Sequence, residues 1–254
     1  MKTLAPLALA LTVSMPAFAQ ENGSSTVGGG FANVAPALEA YTNITIIGDL
    51  WQRKGLTPRD RSIVTVSAMI ARGHTANLAA ELERALANGV TAVEISEIVT
   101  HLAFYAGLGT AQMTAPIVED VFAAHNVSAA DLPGLDVDYL KQDAESEATR
   151  VQSVAGLLGD AAPSLAEFTT DPLFSEIWLR PGLAPRDRSL VTVTSLIALG
   201  QTAQLAGHLN RALQNGLTGE EAGEVVAHLA FYTGWPTGFS AGPVVREVLQ
   251  SRSE

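Results

Sequence analysis

Apolar side chains return every three or four residues along this chain, as at Leu78, Leu82, Ala85 and Leu86 and again at Leu205, Leu209, Ala212 and Leu213. That spacing marks one face of an α-helix and not the alternation of a strand. Capping signals punctuate the pattern. Thr57-Pro58 places a cap before a proline at the first helical position, Thr91 with Glu94 and Thr218 with Glu221 form capping boxes, and Asn88-Gly89 and Asn215-Gly216 supply helix-ending glycines. The pattern predicts helices at roughly 36–53, 58–72, 75–88, 92–107 and 110–124, and the same five again further along the chain.

The second set repeats the first at a constant offset of 127 residues. Leu56 to Val66 returns as Leu183 to Val193, and Glu97 to Gly107 as Glu224 to Gly234; 32 of the 52 aligned positions from Leu56 to Gly107 are identical. So long a unit implies two copies of one helical domain, since solenoid repeats run to roughly 20–50 residues. Between the copies, Asn126 to Gly134 reads as a turn-rich break. After it, Val137, Leu140, Ala144, Ala148, Val151, Val154 and Leu158 form an apolar stripe that predicts one amphipathic helix over 136–158.

The first nineteen residues have the layout of a secretory signal: Lys2, an apolar run from Leu4 to Val13, and Ala17-Phe18-Ala19 as a small-x-small exit. The run is shorter than the roughly 20 residues of a membrane span. A periplasmic or secreted product, cleaved after Ala19 and without membrane insertion, is therefore expected. The organisation expected is a signal at 1–19, a flexible leader at 20–34, a first domain at 35–125, a connecting segment at 126–161 and a second domain at 162–254.

Charge and cysteine content narrow the chemistry. A net charge of −11 argues against a nucleic-acid surface, which attracts basic patches. With no cysteine there is neither disulfide nor thiolate chemistry. No HExxH, P-loop, GxSxG or dinucleotide fingerprint is present, so neither metal nor cofactor is expected.

Glu97, His101 and Tyr105 lie at i, i+4 and i+8 on one helical face, and Glu224, His228 and Tyr232 repeat the arrangement. A carboxylate one turn from an imidazole suits an acid/base pair; core histidines satisfied by their neighbours would show the same spacing. Arg59, Arg61, Arg186 and Arg188 fall in first helical turns, where the dipole disfavours cations, so a carboxylate ligand or a structural ion pair is needed to offset that cost. The copies diverge at one polar position, where His208 of the second answers to Glu81 of the first.

Each copy resembles a carboxymuconolactone decarboxylase domain of the AhpD-like superfamily. The resemblance rests on Leu-x-x-Arg-x-Arg, on Leu-x-x-His-x-x-x-Ala-Leu-x-Asn-Gly at Leu205 to Gly216, and on Glu-x-x-x-His-Leu-Ala-Phe-Tyr-x-Gly followed by Trp235-Pro236. It implies an all-α fold of tandem domains. In the thiol branch of that superfamily cysteines stand where Gln201 and Gln204 stand here, so a thiol peroxidase is excluded for want of a nucleophile.

The decarboxylase branch implies a cofactor-free lyase acting on a small carboxylated lactone or related aromatic-catabolism intermediate. On that reading His208, Glu224 and His228 are catalytic, and Arg186, Arg188, Tyr232 and Trp235 bind substrate. Arg59, Arg61, Glu81, Glu97, His101 and Tyr105 are the first-domain counterparts, in a copy expected to be altered or inactive. An isomerase or lactone hydrolase on the same scaffold, or a ring-forming carboxylate-binding protein, are the alternatives. The resemblance further implies a homotrimer, a pseudo-hexameric ring of domains.

Overall fold

The structure, a computed structural model, describes residues 30–252. The signal expected at 1–19 and most of the leader lie outside the described residues. Among those residues every regular element is helical. In order these are α1 (Pro36–Tyr41), α2 (Pro58–Arg72), α3 (Leu78–Ala87), α4 (Ala92–Tyr105), α5 (Leu108–Ala124), α6 (Ala144–Leu158), α7 (Pro163–Phe168), α8 (Pro185–Ala198), α9 (Thr202–Gln214), α10 (Gly219–Thr233) and α11 (Trp235–Ser251).

The capping chemistry acts as read. Thr57 accepts from the Asp60 amide, and both capping boxes close. Gly89 and Gly216 take positive φ, 90° and 100°, just past the ends of α3 and α9.

Three expected helices come out differently. The span 36–53 breaks into α1, a wide turn at Thr42–Ile47 and a short 3-10 turn at Leu50–Gln52. Its Thr-Asn-Ile-Thr-Ile-Ile run is rich in β-branched residues, which lose rotamer freedom in a helix. The matching span in the second copy breaks at Asp171, extended ahead of Pro172, as expected of a residue before proline. The connecting helix starts at Ala144 instead of 136. Asp143 caps it by accepting from the Ser146 amide. The preceding stretch is held outside any helix: the Leu140 amide donates to the Leu179 carbonyl, the Gln142 side chain to the Phe174 carbonyl, and Arg180 to the Gly134 carbonyl.

The two copies share one core. α2 packs on α8, α10 crosses to α2, and α4 crosses to α8. In α2 every residue from Asp60 to Ala71 is buried, and in α8 every residue from Asp187 to Ala198. Ser62, Thr65, Ser189 and Thr192 return their hydroxyls to backbone carbonyls a turn earlier, Ser62 to Pro58 and Ser189 to Pro185 among them, which satisfies these donors inside the helix contact. A pseudo-twofold axis runs between α2 and α8, and it brings the helix carrying Glu-His-Tyr from each copy against the Arg-bearing helix of the other.

Candidate active site

The arginines of the two helix starts part ways. Arg59 and Arg186, the first of each pair, form a crosswise ionic seam: Arg186 donates to Asp60 at 2.6 Å, Asp187 at 2.9 Å and Glu221 at 2.6 Å, while Arg59 pairs with Asp187 at 2.9 Å and with Glu94. The second of each pair, Arg61 and Arg188, is fully buried. Arg188 donates to Glu97 at 3.1 Å and to the Arg180 carbonyl at 2.7 Å. Arg61 does the same with Glu224 at 3.0 Å and the Arg53 carbonyl at 2.8 Å. Each glutamate thus serves the arginine of the opposite copy. Gly182 and Gly55 make room for this, since a Cβ there would lie 2.9 Å from Cγ of Glu97 and 2.3 Å from Cγ of Glu224.

The hydrogen-bond network assigns the imidazole tautomers. The Thr192 hydroxyl gives its proton to the Arg188 carbonyl at 2.9 Å, so its oxygen accepts from Nε2 of His101 at 2.8 Å. Nδ1 of His101 is then a bare lone pair, buried and without a partner among the described residues. His228 repeats this with Thr65, and its Nδ1 faces Nη1 of Arg61 at 3.4 Å. Both rings are held neutral. Burial, reinforced by Arg188 and then His208, pushes His101 well below the usual imidazole range. Burial and then Arg61, opposed by Glu224, bring His228 to about 3.

Around each imidazole the aromatic frame is the same. Tyr105 stacks on His101 with centroids 4.7 Å apart and accepts from the Trp178 indole at 2.9 Å; Tyr232 stacks on His228 at 4.8 Å and accepts from Trp51 at 2.9 Å. Burial raises both phenols, so both stay protonated. The sites differ at one wall. His208 stacks on Trp178 at 5.9 Å and meets Tyr105 edge-on at 5.3 Å. Its Nδ1 is buried and without a partner among the described residues, and burial followed by Arg211 lowers it to about 4. In the other site Glu81 takes that place, paired with Arg84 at 3.2 Å, and burial raises its carboxyl above the usual range.

The expected cluster in the C-terminal half is therefore divided, and the grouping is corrected. His208 and Arg188 share one site with Glu97, His101 and Tyr105 of the first copy. Glu224, His228 and Tyr232 belong to the other, with Arg61 and Glu81. Arg186 is tied into the seam with Arg59, a structural ion pair and not a pocket residue. Trp235 does not line either site: it is 53% exposed on the outer face and packs on Phe231 at 4.9 Å. Spacing along one copy cannot reveal that α4 and α10 cross over.

The hollows agree with this division. One of about 850 Å³ and an apolar one of about 480 Å³ that includes Trp235 and Phe239 both lie on the outer face of α10 and α11, with no histidine in their walls. A cleft of about 440 Å³ between α6 and the second copy is lined by Phe174, Trp178, Arg211 and Glu147, and it shares Trp178 with the His208 site, whose imidazole stacks on that indole.

Comparison with known proteins decides the family. The profile of the Carboxymuconolactone decarboxylase family matches residues 36–120 and again 163–247, more than half of the chain. The chain belongs to the carboxymuconolactone decarboxylase family. It is 36% identical over 93 residues to 4-carboxymuconolactone decarboxylase of Acinetobacter baylyi, spanning 37% of this chain and 69% of that one. It is 34% identical over 83 residues to nitrosuccinic acid decarboxylase of Metarhizium robertsii, 33% of this chain and 58% of that one. A solved structure from Burkholderia xenovorans, provisionally named a gamma-carboxymuconolactone decarboxylase subunit, shares the fold at 20% identity with a TM-score of 0.51 over 88% of this chain and 90% of that one.

In this tandem member of the family several site residues escaped the sequence reading. Trp51, Arg53, Thr65 and Arg84, with their counterparts Trp178, Arg180, Thr192 and Arg211, all recur at the same offset of 127. That shared offset was the available signal. Arg150 has no such signal, because it lies on α6, outside the repeat.

Proposed function

We propose that this chain is a decarboxylase of a small multifunctional carboxylic acid, acting at the composite site of His208, His101, Tyr105 and Arg188. The observation that carries the reading is the set of buried, unpartnered groups converging there: Nδ1 of His101, Nδ1 of His208, and Nε and Nη1 of Arg188. Buried polar groups are normally satisfied, so a cluster left unsatisfied among the described residues points to a ligand. Two relatives named as decarboxylases support the reaction type.

Decarboxylation breaks the bond between carbon and carboxylate and leaves the electron pair on carbon, delocalised onto a neighbouring carbonyl or equivalent acceptor. Arg188 and the Tyr105 hydroxyl are donors for that developing oxyanion in a site shielded from water. The carbanion must then take a proton. In the free site His208 is neutral, because burial and Arg211 oppose its charging. A bound carboxylate beside Arg211 offsets that guanidinium, so the imidazole can enter the complex protonated and deliver the proton to carbon as CO₂ leaves.

The test is CO₂ release from a panel of carboxylated lactones and nitro or keto acids. His208→Ala should lower kcat by about a hundredfold or more while the fold persists; turnover at the wild-type rate in that variant removes the assigned acid. A product of unchanged carbon count would mark an isomerase or hydrolase instead.

Two further parts of the proposal concern setting. Export rests on the signal-like layout of residues 1–19 and is tested by N-terminal sequencing of the mature protein. A homotrimeric ring is supported by exposed apolar side chains on the outer face, Leu108 with Phe104 in the first copy and, in the second, Trp235 at the place of Leu108 with Phe239 nearby. Sedimentation tests it, and a monomer at micromolar concentration refutes it.

A further inference from the structure

The two composite sites share Trp, Arg, Thr, His and Tyr at matching positions, yet differ in what surrounds the Arg84/Arg211 position. At the His208 site a second guanidinium arrives from outside the repeat. Arg150 of α6 lies over one ring, Phe174, at 4.6 Å, and Arg211 lies against the same ring at 5.0 Å and against Trp178 at 5.1 Å. The Arg150 side chain is 7% exposed. Its Nε and Nη2 donate to Glu147, and Nη2 also to Thr170, but Nη1 is buried without a partner among the described residues.

Two like charges gathered on one aromatic ring repel. The proximity lowers the proton affinity of Arg211, after the larger effect of burial, and Glu147 is the carboxylate that acts against both. One carboxylate for the nearly buried Arg150 and the partly buried Arg211 leaves an excess of positive charge, which burial makes costly unless an anion completes it. Arg211 lines the 440 Å³ cleft together with Glu147, Phe174 and Trp178, and Arg150 packs on the Phe174 ring of that lining.

The other site has the opposite balance. There Glu81, 2% exposed, fills the His208 position and pairs with Arg84, so a carboxylate of the chain itself sits where a ligand's would lie. A second anion would meet that charge at close range in a low-dielectric setting.

We propose that each chain binds one small organic carboxylate, at the His208 site, with Arg150 and Arg211 as the guanidinium pair that takes its carboxylate group, while Glu81 closes the pseudo-equivalent site to anions. The linker helix α6 is thereby part of the binding site and not only a connector. This rests on the His208 site being the ligand pocket, but not on any turnover there.

Isothermal titration of the full-length mature protein with fumarate tests it. The expected result is one equivalent per chain. Arg150→Gln should weaken binding by about tenfold or more, the loss of a charge-assisted hydrogen bond, and Arg150→Lys, which keeps charge but not the fork, should fall between. Thermal melting of each variant establishes that the fold is kept, since Arg150 also anchors Glu147. Two equal sites per chain, fumarate affinity unchanged in Arg150→Gln, or no binding at tens of millimolar would each overturn the proposal. Single-site, Arg150-dependent binding without CO₂ release from any acid would retain it and refute the decarboxylase reading; CO₂ release that Arg150→Gln leaves unaltered would do the reverse.

Discussion

Glu97 accepts hydrogen bonds at 2.9 Å from Arg180 and 3.1 Å from Arg188, both in the opposite copy, and all three side chains are nearly or wholly shut off from solvent. Glu224 makes the mirror-image set, but its partner Arg53 is 51% exposed. The crossed pairs therefore join the two copies with unequal burial, which makes their contributions separable.

Replacing Glu97 by Ala strands Arg188 as an uncompensated buried charge, and a loss of about 3–5 kcal/mol is expected. Glu224→Ala strands the buried Arg61 in the same way but leaves Arg53 free to turn to water, where Glu97→Ala also strands Arg180, so it should cost somewhat less. Chemical denaturation of both variants checks the order; equal losses would show that burial does not set the difference.

Gly182 faces Glu97 so closely that an added methyl would sit 2.9 Å from its Cγ and 3.1 Å from a Val93 methyl. Gly182→Ala should push the glutamate off Arg180 and lower stability as well as activity. A variant that melts with the wild type would show that the loop relaxes instead.

Stability should fall on acidification below about pH 6.5. His228 and His208 titrate near 3 and 4 in the folded chain, against an ordinary value near 6.5. Between those values the unfolded chain binds the extra protons, so stability is complete above pH 6.5 and is lost as pH falls toward the folded values. In His228→Gln, urea midpoints measured from pH 7.5 to 4 should decline less steeply than in wild type.

Glu81 has the opposite sign. Burial raises its carboxyl, so the folded chain holds the proton more tightly and stability falls as pH rises out of the ordinary carboxylate range. Glu81→Gln should raise the melting temperature by a few degrees at pH 7–8, since about 1 kcal/mol moves a chain of this size by roughly 2–4 °C. The gain should vanish near pH 4. A variant less stable at every pH would show the Arg84 pair to outweigh desolvation.

Much of this protein was legible in order of residues alone. Helix starts at Thr57, Thr91 and Thr218, the glycine stops, the duplication and the family all follow from local chemistry or from comparing the chain with itself, and neither needs to know what lies across the core. The Glu-His-Tyr face of each copy was likewise visible, because three residues four apart must share one side of a helix. Where that face points was not. Only packing across the pseudo-twofold axis decides that Glu97 meets Arg188 and Glu224 meets Arg61, that Arg186 is consumed in a seam with Asp60, and that Trp235 looks outward. The two halves carry the same arginine and Glu-His-Tyr positions, so either pairing, within a copy or across copies, satisfies the same local rules. The difference lies in which arrangement buries α2 against α8 and brings Glu97 and Glu224 to buried arginines, a property of the whole core.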